Sequence, residues 1–179
     1  MILQLLIVYR EWLLSMPFRG VDFLLILFLV GLSMSLPRAF AGIANRLTAQ
    51  AILLRIIIDS LVIGILHCVG TILTIVLHEI VINGTIDITK YYDLAPLVIF
   101  PGLFYIFSAA PYIGNAIAVF LWATFFLNKI VITQFLFDTT YATAFHVAFP
   151  AFLLVLIAVW IQHADGWRKA YTILSESTK

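Results

Sequence analysis

The chain has 179 residues, of which 64% are hydrophobic and only 11% charged, and its mean hydropathy is +1.12. A water-facing domain carries about 25% charged residues, so this composition excludes a soluble exterior. A net charge of +1 with scattered basic residues argues against a nucleic-acid surface, and the single cysteine, Cys68, excludes an intramolecular disulfide and a cysteine-based zinc site.

The apolar residues fall in blocks near membrane-spanning length rather than in alternating segments of about ten, which selects helices over a transmembrane β-barrel. The expectation is an all-α, polytopic transmembrane helix bundle forming one membrane domain over residues 1–179. The opening run Met1–Val8 meets Tyr9-Arg10-Glu11 without a basic leader region, so no cleaved signal peptide is expected. Residues 2–16 form a short apolar stretch that ends at Pro17. The next block, Phe23–Leu36, stops at Pro37-Arg38 and at 1.5 Å per residue extends about 21 Å, short for a perpendicular crossing. Residues 1–36 therefore read as an interfacial helix followed by a short hydrophobic hairpin or span.

Four longer blocks follow, at 51–82, 94–110, 112–137 and 141–162. Asn83-Gly84-Thr85 is a turn signal, and also a glycosylation sequon that matters only in a secretory pathway. A polar loop continues to Asp93. Pro96, Pro101 and Pro150 lie inside blocks, where neighbouring groups must re-satisfy the carbonyls they free. Residues 163–179 read as a cytoplasmic tail, with Trp160 and Trp167 suited to the headgroup zone.

Basic residues test the topology. If 23–36 crosses, Arg10, Arg19 and Lys90 share one side, against Arg38, Arg46, Arg55, Arg168, Lys169 and Lys179 on the other, three against six. If 23–36 dips without crossing, eight of these residues share a side against Lys90 alone. The second distribution is the stronger positive-inside bias. It favours four full spans plus a dipping N-terminal element, with both termini cytoplasmic, in the cytoplasmic membrane of a prokaryote.

Ionisable groups inside a membrane are costly and mark candidate sites. Arg55 and Asp59 are four apart and can pair at the inner interface, as an ordinary interfacial salt bridge does. His67, Thr71, Thr74 and His78 fall within about 40° of one another on a helix, a continuous polar stripe. The stripe serves either interhelical hydrogen bonding or a water-lined path. His78, Glu79, Lys129 and His146 all approach the side of the 83–93 loop, where a metal, a proton or simple charge neutralisation is conceivable. No His-x-x-x-His or His-x-x-Glu spacing lies within one helix, so no metal or cofactor is expected, and haem or metal at His78 and His146 is the weakest alternative. Small residues four apart, Ala110, Gly114 and Ala118, and again Ala144 and Ala148, favour close helix packing.

The run Tyr91-Tyr92-Asp93-Leu94-Ala95-Pro96, a proline-containing span, the nearly linkerless span Ile113–Phe137, and Ala144 followed by Pro150 in the last span resemble the bacterial branch of the Yip family. These are small polytopic proteins related to eukaryotic Rab-interacting Golgi proteins. The resemblance covers roughly residues 50–162 and rests on span order and proline placement. Tyr91-Tyr92 stands where the family has glycine-tyrosine, and the family has five spans. The resemblance implies a non-enzymatic protein acting through membrane partners and supplies no catalytic residues.

No nucleophile elbow, phosphate loop, dinucleotide fingerprint or zincin motif is present. The leading expectation is a non-catalytic membrane subunit or scaffold that binds integral membrane proteins and lipids as a homo- or hetero-oligomer. The alternative is a transporter or permease subunit with a polar path along His67-Thr71-Thr74-His78.

Overall fold

The structure is a computed structural model that describes residues 2–44, 46–82, 87–110 and 112–177. The expected turn at Asn83-Gly84-Thr85 lies outside the described residues. The chain is all helical: α1 (Ile2–Leu14), α2 (Phe23–Ala44), α3 (Ala49–Ile82), α4 (Ile88–Ile99), a 3-10 helix (Phe100–Ala109), α5 (Gly114–Phe137) and α6 (Tyr141–Ser177). Among the described residues four stretches are long and apolar enough to cross a membrane: Ala49–Val81, Ile88–Ala109, Gly114–Phe137 and Tyr141–Ile161.

Helix starts are set by short polar side chains. Asp22 Oδ1 accepts from Leu25 N at 3.0 Å, Thr48 Oγ1 from Ala51 N at 3.3 Å, and Thr140 Oγ1 from Thr143 N at 3.2 Å. Asp87 Oδ1 accepts from Thr89 N at 3.0 Å and Lys90 N at 3.2 Å. Each satisfies amide donors that the first helical turn leaves without partners. The Asp87 cap explains why α4 begins at Ile88, inside the stretch expected to be a polar loop to Asp93. At the other end of the bundle's hairpin, Asp138 closes α5 in the left-handed region at φ 45°, and Thr139 N donates to Gln134 O at 3.3 Å.

Residues 23–36 do not stop at Pro37. They belong to a 22-residue helix that continues to Ala44 and rises about 33 Å. Its start is tied to the start of α4, through Gly20 N donating to Asp93 O at 3.1 Å and Phe23 edge-on to Tyr92 at 5.7 Å. Its far end meets the start of α3, where Gly42 faces Ile52. Thus α2 runs antiparallel to α3 along the bundle. Between these ends Gly31 lies so close to Ser60 that an added Cβ would stand 2.7 Å from the Ser60 carbonyl oxygen.

The segment expected as one span at 94–110 changes pitch. Pro101 has no N–H to continue the α-helical ladder, and from Phe100 the backbone tightens to a 3-10 helix of 10 residues, long for that form. Ser33 of α2 supports it. Its Oγ donates to Leu103 O at 2.8 Å and accepts from Ile106 N at 3.1 Å, so one hydroxyl stitches two backbone groups of the 3-10 segment to α2.

The close approach at Gly31 predicts an asymmetric response to small substitutions. Gly31→Val forces α2 away from α3 and should lower stability by about 1–3 kcal/mol. Gly64→Ala, whose Cβ would meet only Leu27 side-chain atoms at 3.8 Å, should be neutral or slightly stabilising because alanine is the better helix former. Thermal unfolding in detergent compares the two; equal effects would contradict the packing.

Candidate functional site

The buried residues of α3 are Asp59, Ser60, Ile63, His67, Gly70, Thr74 and His78. They recur every three or four residues, so they form one face, and most are polar or small. The opposite face carries Leu54, Ile58, Leu61, Ile65, Val69 and Ile72, all exposed. This inverts the pattern of a soluble helix and suits a lipid-facing exterior with polar groups turned into the bundle. The sequence-derived stripe is therefore placed inside: His67, Thr74 and His78 are buried and Thr71 is half-buried.

The stripe meets α5 at Gly70. Thr74 Oγ1 donates back to Gly70 O at 2.8 Å, and Lys129, a residue only 4% exposed, donates through Nζ to the same oxygen at 3.2 Å. A carbonyl has two lone pairs and can accept more than one donor. On its other side Gly70 admits α6, since a Cβ there would stand 2.5 Å from Val155 Cγ2. Beside Lys129 lies a small cavity whose lining also includes His67, Thr71 and Tyr91. The His67 ring sits 5.1 Å from the Phe125 ring, and its Nε2 is buried without a hydrogen-bond partner. His67 also lines a second, apolar void with Trp122 and Phe125.

A second polar connection centres on Asn128. Pro101 leaves the Leu97 carbonyl without its helical donor, and Asn128 Nδ2 supplies one at 2.9 Å. The Asn128 carbonyl in turn accepts the Tyr9 hydroxyl, and Arg10 donates to Gln134 Oε1 at 3.4 Å, which fastens α1 to α5. Burial raises the Tyr9 phenol above its ordinary pKa, so it remains a protonated donor across the neutral range. Nearer the other end of the bundle, Ser35 and Ser60 hydroxyls meet at 2.9 Å between α2 and α3.

The remaining candidates are dispersed. His78 stacks on Phe137 with ring centres 3.4 Å apart, and neither ring nitrogen has a partner. Glu79 and His146 are exposed, His146 edge-on to Phe145 at 5.8 Å. Lys129 bonds at Gly70, about two helical turns from His78. The suggested convergence of His78, Glu79, Lys129 and His146 is not formed, and among the described residues no group of three or more His, Cys, Asp or Glu is placed to hold a metal. Arg55 and Asp59 line one groove between α2 and α3, with Asp59 buried and Arg55 exposed. Ala144 and Ala148 are fully buried on α6. Ala110 precedes the first turn of α5, so Ala110, Gly114 and Ala118 do not form a ladder on one helix, although Gly114 packs closely on Ser108.

Sequence reasoning missed Asn128, Tyr91, Tyr9 and Ser33. Asn128 had a usable signal: Pro101 must free the Leu97 carbonyl, and an amide within an apolar run is a natural donor for it. The others had none, because their partners come from helices distant in sequence. No family model, no curated protein and no solved structure matches the chain.

The Asn128 connection predicts a coupling. Asn128→Leu should lower stability by about 1–3 kcal/mol, since it strands the Leu97 carbonyl and the Tyr9 hydroxyl. In a Pro101→Ala background the restored amide can serve Leu97 O, so the same substitution should have a smaller effect. A double-mutant cycle read by thermal unfolding measures the difference; strict additivity would show that Asn128 does not serve this carbonyl.

Proposed function

We propose that this chain is a non-catalytic integral membrane protein that acts by docking to other membrane proteins and to lipids within the bilayer. The supporting observation is the distribution of polar groups. The hydroxyls of Ser33, Ser35 and Ser60, the Asn128 amide and the Lys129 ammonium are directed inward to other helices. The described connections between helices are short, as at Asp138–Thr140. Surface for recognition is therefore mostly apolar and at membrane depth, including the α1 residues Ile2, Leu5 and Val8, each more than 60% exposed. A place beside the bacterial Yip-like proteins agrees with this reading.

The course of α2 bears on orientation. Residue 20 lies at the start of α4 and residue 42 at the start of α3, which supports α2 as a crossing additional to the four long spans, with the two termini on opposite faces. Both termini in the cytoplasm remains the arrangement if α2 dips instead of crossing. A crossing α2 goes with the three-against-six distribution of basic residues and a cytoplasmic C-terminal face. Single cysteines at positions 19 and 46 in a Cys68→Ala background should then label from opposite sides of intact vesicles. Labelling from the same side would restore the dipping hairpin.

The docking reading is tested by extracting the full chain with its native lipids and weighing the particles by mass spectrometry. A second copy or another membrane protein with retained lipid is the expected result. A lone monomer without lipid or partner would overturn it. A second reading, transport along His67-Thr71-Thr74-His78, draws on the unpartnered ring nitrogens of His67 and His78.

A further inference from the structure

We propose that the cavity beside Lys129 is a binding site for one small inorganic monovalent anion of chloride size, held by Lys129 Nζ with the Thr71 and Tyr91 hydroxyls and the His67 ring. This goes beyond docking and does not depend on it.

Charge is the first argument. A lysine ammonium has three donors, and only one is used, on Gly70 O. No carboxylate lines the cavity beside it. A buried charge without a counter-ion is strongly disfavoured in a low-dielectric interior, and an anion beside it offsets that penalty. The second argument is the donor set. Two hydroxyl-bearing residues from different helices, Thr71 on α3 and Tyr91 on α4, and a histidine whose Nε2 lacks a partner line the same cavity as Lys129. This set is rich in donors, and the Gly70 carbonyl already accepts two of them. A cation would be repelled by the ammonium and would find no carboxylate.

Size is the third argument. The space open to the centre of a water-sized sphere is about 10 Å³, near the least that holds one water molecule. That limits the occupant to a single atom: a chloride, somewhat larger than water, needs the side-chain walls to give slightly, whereas a carboxylate or phosphate requires the helices to part. The three helices that supply the donors are separate in sequence, so an anion there also ties α3, α4 and α5 together, and its binding stabilises the fold.

The test is a chloride titration of the full chain in detergent, with gluconate replacing chloride at constant ionic strength and pH, read by thermal unfolding. The wild type should show a saturable rise in Tm with chloride, and bromide should substitute for it. Lys129→Met should abolish the dependence. If that variant does not fold, Thr71→Val and Tyr91→Phe should each move the midpoint to about tenfold higher chloride. Equal Tm in chloride and gluconate for the wild type means that the cavity holds only water and overturns the proposal. An unchanged chloride response in the foldable variants assigns the effect to bulk salt and overturns it equally.

Discussion

The Gly70 carbonyl is where the demands on this bundle meet. The absent side chain lets α6 approach through Val155, while the carbonyl oxygen accepts both Thr74 and the ammonium of Lys129 from α5. Three helices converge on one residue. In hydrocarbon the hydrophobic effect does not draw helices together, because lipid tails are as apolar as leucine, so association rests on close packing and interhelical hydrogen bonds. Both are present here at the same position, and the polar face of α3 is turned inward around it.

The same logic governs the irregular backbone. Pro101 would be an expensive break at membrane depth if the Leu97 carbonyl remained bare. Asn128 covers that carbonyl, and the Tyr9 hydroxyl caps the Asn128 amide in turn. Ser33 performs a comparable service for the 3-10 segment. Each irregular stretch is thus paired with a side chain from another helix. Docking α1 to α5 and α2 to the 3-10 helix follows from this pairing as much as from apolar burial.

Much of the architecture was legible in the sequence, for physical reasons. Block length reports bilayer thickness, so the four long spans emerged with ends within two residues, except that the second begins six residues earlier, at Ile88. The inward orientation of His67, Thr74 and His78 followed from their angular spacing. What was not legible depended on contacts between distant segments. The continuation of α2 through Pro37 is one case, because α3 packs against the helix beyond the proline, at Gly42 and Ile52. The placement of Lys129 is another: depth along α5 put it near the His78 end, but its long side chain bonds at Gly70. Asp87 was hidden in a polar stretch that read as loop until its capping role set the start of α4.

The central claim is that Lys129 is sealed inside the bundle against Gly70, and its accessibility tests that claim most directly. In the bilayer-reconstituted full chain, treatment with a water-soluble amine-reactive reagent followed by peptide mass spectrometry compares Lys129 with the exposed Lys90. The account predicts rapid modification of Lys90 and protection of Lys129 until the protein is unfolded. Modification of both lysines at similar rates in the folded protein would contradict it.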